Sequence, residues 1–230
     1  MRRLLLLLSI SLLGVAACQR APHRAPGQCS FKGGRVKKDL TLYKVCSPYA
    51  IKGGIDVLEN VTLTIEAGTE VRFKDGDWLE ISAAGTKNGR LVAKGTADEP
   101  IVLTSADPGR ASARTWLGLW FAAGTRDSIV THMTIRAAGG HNTYLKPTLV
   151  QGCLTITDVA PGALVLEDVR LEGCVDAGVV LRKSRPVLTR LSLHDMATGF
   201  WLDGVEPAFV PSDVHFERVA TPVLEGNSTL

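Results

Sequence analysis

From residue 29 onward the sequence has almost no run of helical period, which excludes a fold built on amphipathic helices. Its five cysteines and five histidines show no CxxC or HxxxH spacing, so a zinc site has no support. GxSxG, HExxH and a phosphate-binding glycine loop are all missing, and with them the common signatures of hydrolases, metalloproteases and nucleotide-binding enzymes. A long apolar run is lacking too. Leu4–Val15 falls short of the ~20 residues that a bilayer-spanning helix needs.

That short run lies between Arg2-Arg3 and the small residues Ala16-Ala17, which together read as a secretory signal over residues 1–17. Val15-Ala16-Ala17-Cys18 resembles a bacterial lipobox, and the resemblance implies that Cys18 becomes the lipidated first residue of the mature protein. Each buried methylene contributes ~0.8 kcal/mol, so two or three acyl chains hold a protein where a single chain does not. Gln19 after the cysteine implies sorting to the outer membrane of a Gram-negative cell; the alternative is a cleaved signal without lipid. Taking away Arg2 and Arg3 leaves 24 Lys and Arg against 23 Asp and Glu, a net charge of +1. Nucleic acid is therefore not an expected partner. Lys32, Arg35, Lys37 and Lys38 form a small basic cluster, read as a solvated face or as a contact with acidic head groups.

With Cys18 lipidated, four cysteines remain and allow three pairings; the local ones are Cys29 with Cys46 and Cys153 with Cys174. Such bridges agree with export. Each stabilises by roughly 3 kcal/mol through loop closure.

After a Pro-rich tether (18–28), apolar and polar residues alternate in short segments broken by Gly, Pro and Asp. In "VTLTIEAGTEVRF", Val61, Leu63 and Ile65 alternate with Thr62 and Thr64. An internal repeat is more specific. "ALVLEDVRL" from Ala163, "RPVLTRLSL" from Arg185 and "AFVPSDVHF" from Ala208 start 22 and 23 residues apart. Leu171, Leu193 and Phe216 then share a column, as do Val169, Leu191 and Val214. Strands from Ala177, Thr198 and Thr221 lie between them, 21 and 23 apart. A period near 22 with two short strands per repeat predicts the coils of a parallel β-helix, seven or eight of them. Cys153 and Cys174, 21 residues apart, then lie about one coil apart. A β-sandwich with coincidental spacing is the competing fold.

The front half adds a resemblance. "LYKVCSPYAIKGGIDVLENVTLTIEAGTEVRF", "GRLVAKGTADEPIVLTS" and "TWLGLWF", with Trp116, Gly118 and Phe121, resemble the opening of right-handed parallel β-helix proteins of the pectin-lyase-like superfold. The match covers about Leu40–Gly140; later coils match by period alone. It implies an all-β, single-stranded right-handed parallel β-helix. The domain reading is a signal at 1–17, a lipidated tether at 18–28, an N-terminal cap at 29–54 and the β-helix at 55–230.

Fold does not fix function, since this scaffold hosts lyases, glycosidases, adhesins and spacers. Glu172, His194 and Glu217 fall in one repeat column with Asp195 beside it, so a histidine flanked by acids can move a proton or hold a metal. The same pattern suits an exposed turn. Arg182 over Asp203 reads as a surface ion pair, worth under ~1 kcal/mol. Asp75 and Asp77 in "KDGDW" have the composition of a calcium loop or of a tight turn. Asp98 and Glu99 read as structural turn residues, and Trp78, Trp116, Trp120 and Trp201 as core or coil surface. Two insertions offer ligand-binding candidates: Arg110 and Arg114 in one, His141, Asn142, Tyr144 and Lys146 in the other.

The expectation is a lipid-anchored envelope protein acting as a non-enzymatic binding or structural scaffold for glycan or protein. It has no cofactor, and its last coil is open to self-association. The alternative is a small polysaccharide lyase, with calcium, or a glycoside hydrolase.

Overall fold

The computed structural model describes residues 29–107, 115–140, 150–205, 209, 211 and 213–226. Its strands are β1 (Gly34–Val36), β2 (Leu40–Leu42), β3 (Tyr49–Ile51), β4 (Ile55–Val57), β5 (Thr62–Ile65), β6 (Glu70–Phe73), β7 (Leu79–Ile81), β8 (Arg90–Lys94), β9 (Ile101–Ser105) and β10 (Leu119–Phe121). Longer ones follow: β11 (Ser128–Arg136), β12 (Gly152–Thr157), β13 (Leu164–Glu172), β14 (Ala177–Arg182), β15 (Val187–Thr189), β16 (Ser192–Asp203) and β17 (His215–Gly226). All paired strands run parallel, which makes this a parallel β-helix.

Three faces wind round one core. The first stacks β1, β4, β7, β10, β12, β14 and the C-terminal halves of β16 and β17. The second stacks β2, β5, β8, the N-terminal halves of β11 and β13, and β15. On the third lie β3, β6, β9, the C-terminal halves of β11 and β13, and the N-terminal halves of β16 and β17. The expected two strands per repeat are thus three. The segment read as a cap already carries the first coil, β1 to β3.

Alternation along each strand sends every second residue inward, and the parallel register aligns those residues from coil to coil. Tyr49, Val71, Leu103, Ile135, Leu171, Leu193 and Phe216 form one such column on the third face. All are buried except Phe216, which is partly so. Fully burying a side chain of this size stabilises by roughly 1.5–3 kcal/mol, and no single coil can do it alone.

The nine-residue repeats from Ala163 and Arg185 are each two short strands meeting at a left-handed residue, a feature their alternation does not reveal. Asp168 (φ 54°) bends β13 between the second and third faces, and His132 (46°) and Arg190 (50°) do so in adjacent coils. Between the third and first faces the corner falls to Ala137 (50°), Gly173 (60°), Asp195 (56°) and Arg218 (52°). Left-handed backbone costs a non-glycine residue roughly 1–2 kcal/mol, an expense that the flanking ladders offset.

In the Trp-x-Gly-x-x-Phe segment, Trp116 is fully buried and stacks on Phe73, ring centroids 4.4 Å apart. Gly118 (φ 110°) has no alternative, because a Cβ there falls 2.6 Å from the Gly152 carbonyl oxygen. Both local disulfides are present, Cys29–Cys46 and Cys153–Cys174, with Cα separations of 5.2 and 5.5 Å. Cys153 and Cys174 are not register partners, since Gly152 pairs with Ala177. The bridge joins β12 to the turn that enters β14 and so closes one coil.

Candidate functional site

The outward residues of the third face fall into two columns. Arg72, Thr104, Arg136, Glu172, His194 and Glu217 form one. Two residues earlier on each strand, Val102, Thr134, Arg170, Ser192 and His215 form the other. Glu172, His194 and Glu217 are therefore in register, as their repeat positions require.

His194 is the buried member, its side chain only 4% exposed. Its Nδ1 lies 2.9 Å from Glu217 Oε2. On the other side of the ring, Nε2 meets Arg170 Nη1 at 3.0 Å and the Ser192 hydroxyl. Glu172 does not share the imidazole with Glu217; it takes Arg170 Nε at 3.4 Å. Asp195 turns away at its left-handed corner and accepts from Arg218 Nη2 at 2.8 Å. Arg218 also binds Glu217. Its hydrogen bonds hold the Asp195 and Glu217 carboxyls below the usual carboxylate range. A metal is poorly served here, because guanidinium groups occupy the directions a cation would take. Among the described residues, no three His, Cys, Asp or Glu side chains converge as a metal site.

Ser192 and Arg170 were missed in the sequence reading. The signal was present: a strand residue two before His194 shares its face, and Arg170 has the same relation to Glu172.

The remaining candidates divide. Asp77 is buried, and its carboxylate accepts the backbone N–H groups of Gly53 (2.8 Å), Gly54 (3.1 Å) and Lys74 (3.2 Å). It ties the turn at Gly53 and Gly54 to the turn that begins at Lys74. Glu99 pairs with Lys44, and its N–H donates to Thr96 Oγ1 at 3.0 Å, so the GTADEP turn is structural. Arg182 and Asp203 do pair, at 3.8 Å, but their side chains are only 13% and 17% exposed. The expected surface pair is largely buried. Arg182 Nη2 also donates to the Val150 carbonyl at 2.6 Å, and desolvation pushes the guanidinium pKa down. Cys18 and the loop candidates Arg110, Arg114, His141, Asn142, Tyr144 and Lys146 lie outside the described residues.

A concavity of about 260 Å³ opens elsewhere, lined by Asn60, Thr62, Asn88, Arg90, Arg126 and Asp127. Asn88 Nδ2 donates to Asn60 Oδ1 at 2.9 Å, which stacks two side-chain amides from adjacent coils. Arg90 Nε donates to the Asp127 carbonyl at 2.8 Å, and Arg126 pairs with the Asp127 carboxylate at 3.0 Å. These asparagines, 28 residues apart, fall outside the repeat of about 22 and were invisible to it. A second concavity, about 360 Å³, is lined by Arg136, Ala137, Glu172 and Gly173 beside the histidine column.

Corner ion pairs give a pH signature. Arg190 hydrogen-bonds Asp168 (Nε–Oδ1 2.8 Å), with His132 a further 3.6 Å contact, and holds the Asp168 carboxyl below its ordinary range. A depressed folded-state pKa contributes stability above the unfolded value, about 3.9 for Asp, that is lost as pH falls through the folded value. The urea midpoint is expected to drop as pH falls below about 4. That acid limb flattens in Arg190→Ala and Arg218→Ala, because the carboxyls lose the largest cause of their depression and differ less between folded and unfolded states. Midpoints measured from pH 7 to pH 2 check this.

The fold and these columns define a class, a parallel β-helix protein. Residues 34–137 match the family described as pectate-lyase like beta helix domain. Over 74 residues the chain is 42% identical to Protein bark beetle of Drosophila melanogaster, a stretch that is 32% of this chain and 2% of that protein. The chain thus spans a small fraction of that relative's length. No solved structure matches.

Proposed function

We propose that the protein is a lipid-anchored scaffold of the outer membrane, held by Cys18, whose β-helix presents a rigid binding surface to an acidic glycan. The observation that carries this reading is the concavity around Asn60 and Asn88. Amides donate to and accept from sugar hydroxyls, while Arg90 and Arg126 offer guanidinium groups to a carboxylate. Coils repeat every ~4.8 Å, so a polymer lying along the axis meets Asn60, Asn88 with Arg90, and Arg126 on successive coils.

The glycosidase alternative is weaker on this chemistry. A general acid needs a carboxyl with a raised pKa, whereas Arg218 holds Glu217 ionised. Titrating the domain, from residue 29 onward, with uronate and neutral oligosaccharides tests the reading. Uronate binding is expected, weakened about tenfold, or ~1.4 kcal/mol, in an Asn60→Ala and Asn88→Ala double variant. Absence of binding to either sugar class overturns it, as does binding that the double variant leaves unchanged.

A further inference from the structure

We propose that Ser192 is an activated nucleophile and that the third face carries an acyl-transfer site, one that takes small acyl esters such as O-acetylated sugars. The proposal goes beyond the glycan reading and uses none of the residues around Asn60.

Its basis is a hydrogen-bonded series of three side chains in a catalytic order. Ser192 and His194 lie two apart on β16 and so face the same way. Glu217 is the register partner of His194 in the next coil. The carboxylate accepts from Nδ1 (2.9 Å), which fixes the tautomer and makes Nε2 the acceptor. Arg170 Nη1 and the Ser192 hydroxyl both approach its lone pair, so the base role requires Arg170 to swing off Nε2 when an ester binds. Nucleophile, base and orienting acid are thereby arranged as nucleophilic catalysis requires. The histidine is nearly buried, whereas Ser192 is half-buried and the Arg170 side chain 44% exposed, so the reacting end of the series is the open one.

Arg170 supplies the fourth part. It is the register partner of Ser192, and its Nη1 sits 3.0 Å from His194 Nε2. In that position it donates to the base; its side chain is 44% exposed, and moving the guanidinium from Nε2 onto the carbonyl oxygen both frees the lone pair and sets a cation where negative charge develops. The concavity lined by Arg136, Ala137, Glu172 and Gly173 lies one coil along from His194, whose register partner is Glu172, and is the space assigned to the leaving alcohol.

The chemistry balances with water as the co-reactant. Ser192 Oγ bonds to the ester carbonyl carbon while its proton passes to Nε2, and the carbonyl π pair moves onto oxygen beside Arg170. Collapse restores the carbonyl and breaks the ester C–O bond, and the leaving alcohol takes the proton from Nε2. Water then repeats the sequence on the acyl-serine and releases the acid. Ser192 and His194 are the catalytic residues; Glu217 is a positioning residue.

The test treats the domain with a fluorophosphonate probe, maps the labelled peptide, and measures 4-nitrophenyl acetate hydrolysis. The expected result is a single adduct on Ser192. Labelling is lost in Ser192→Ala and His194→Gln, and hydrolysis falls at least tenfold in Ser192→Ala. Glu217→Gln is expected to lower kcat with KM little changed, which a merely structural role does not do. Circular dichroism and the urea midpoint confirm that each variant is folded; Ser192→Ala, a loss of one half-buried hydroxyl, secures the comparison if His194→Gln does not fold. An unlabelled Ser192 in the folded wild type overturns the proposal, as does equal labelling and turnover in Ser192→Ala. The oligosaccharide titration run on Ser192→Ala keeps the two proposals separate, since sugar binding survives that change if the glycan reading holds.

Discussion

Trp116→Ala is expected to destabilise the β-helix by about 3–5 kcal/mol, the range for losing a large buried aromatic side chain. The indole is fully buried and lies flat on Phe73, rings 4.4 Å apart and 8° from parallel. Its Nε1 donates to the Arg136 carbonyl at 3.1 Å, and its backbone bridges to Ala138. One side chain therefore ties β6, the entry to β10 and the exit of β11. Trp116→Phe keeps a ring on Phe73 but loses the Nε1 donation to the Arg136 carbonyl, and is expected to cost less, about 1–3 kcal/mol. Because solenoid stability is a sum over coils and their interfaces, the alanine variant is also expected to broaden the urea transition. Equal midpoints for wild type and Trp116→Ala contradict this packing.

Asp77→Ala is the second large effect, expected at about 3 kcal/mol or more. Charged hydrogen bonds contribute about 1.5–3 kcal/mol each, and three backbone N–H groups lose their acceptor together. Gly53 and Gly54 share Oδ1 while Lys74 uses Oδ2, so Asp77→Asn satisfies the first two and turns an NH₂ toward the third. Its cost is expected to fall between wild type and alanine. Since this carboxylate already serves backbone donors, calcium and chelator are expected to leave the wild-type midpoint unchanged. A midpoint that rises with calcium and is insensitive to Asp77→Ala contradicts this account of the turn.

The coil architecture was legible because stacking demands near-equal coil lengths, and equal lengths leave a period. Leu171, Leu193 and Phe216 could be aligned by counting alone. The three-sided cross-section was not legible, because its corners are set by single residues such as Asp168 and Arg190, whose left-handed backbone leaves the alternation nearly intact. The histidine column was visible for the same reason as the core. Its partners were not: Ser192 carries no charge, and Arg170 looked like any exposed basic residue. Burial of Arg182 and Asp203 escaped notice because a pair of charges gives no sign of what covers it. Asn60 and Asn88 escaped because a longer third coil moves them off the common period.

The histidine site, like the core, depends on the register of the third face. Arg136→Cys with Glu172→Cys, register partners that both point outward, tests that register directly. Thr134→Cys with Glu172→Cys is the control, two residues out of step and beyond the ~7 Å Cα separation a disulfide tolerates. Free thiols are counted after mild oxidation in the domain from residue 29 onward, which lacks Cys18 and whose four native cysteines are bridged. The expected result is no free thiol in the first variant and two in the second; closure of the second pair but not the first contradicts the register, and with it the alignment of Ser192, His194 and Glu217.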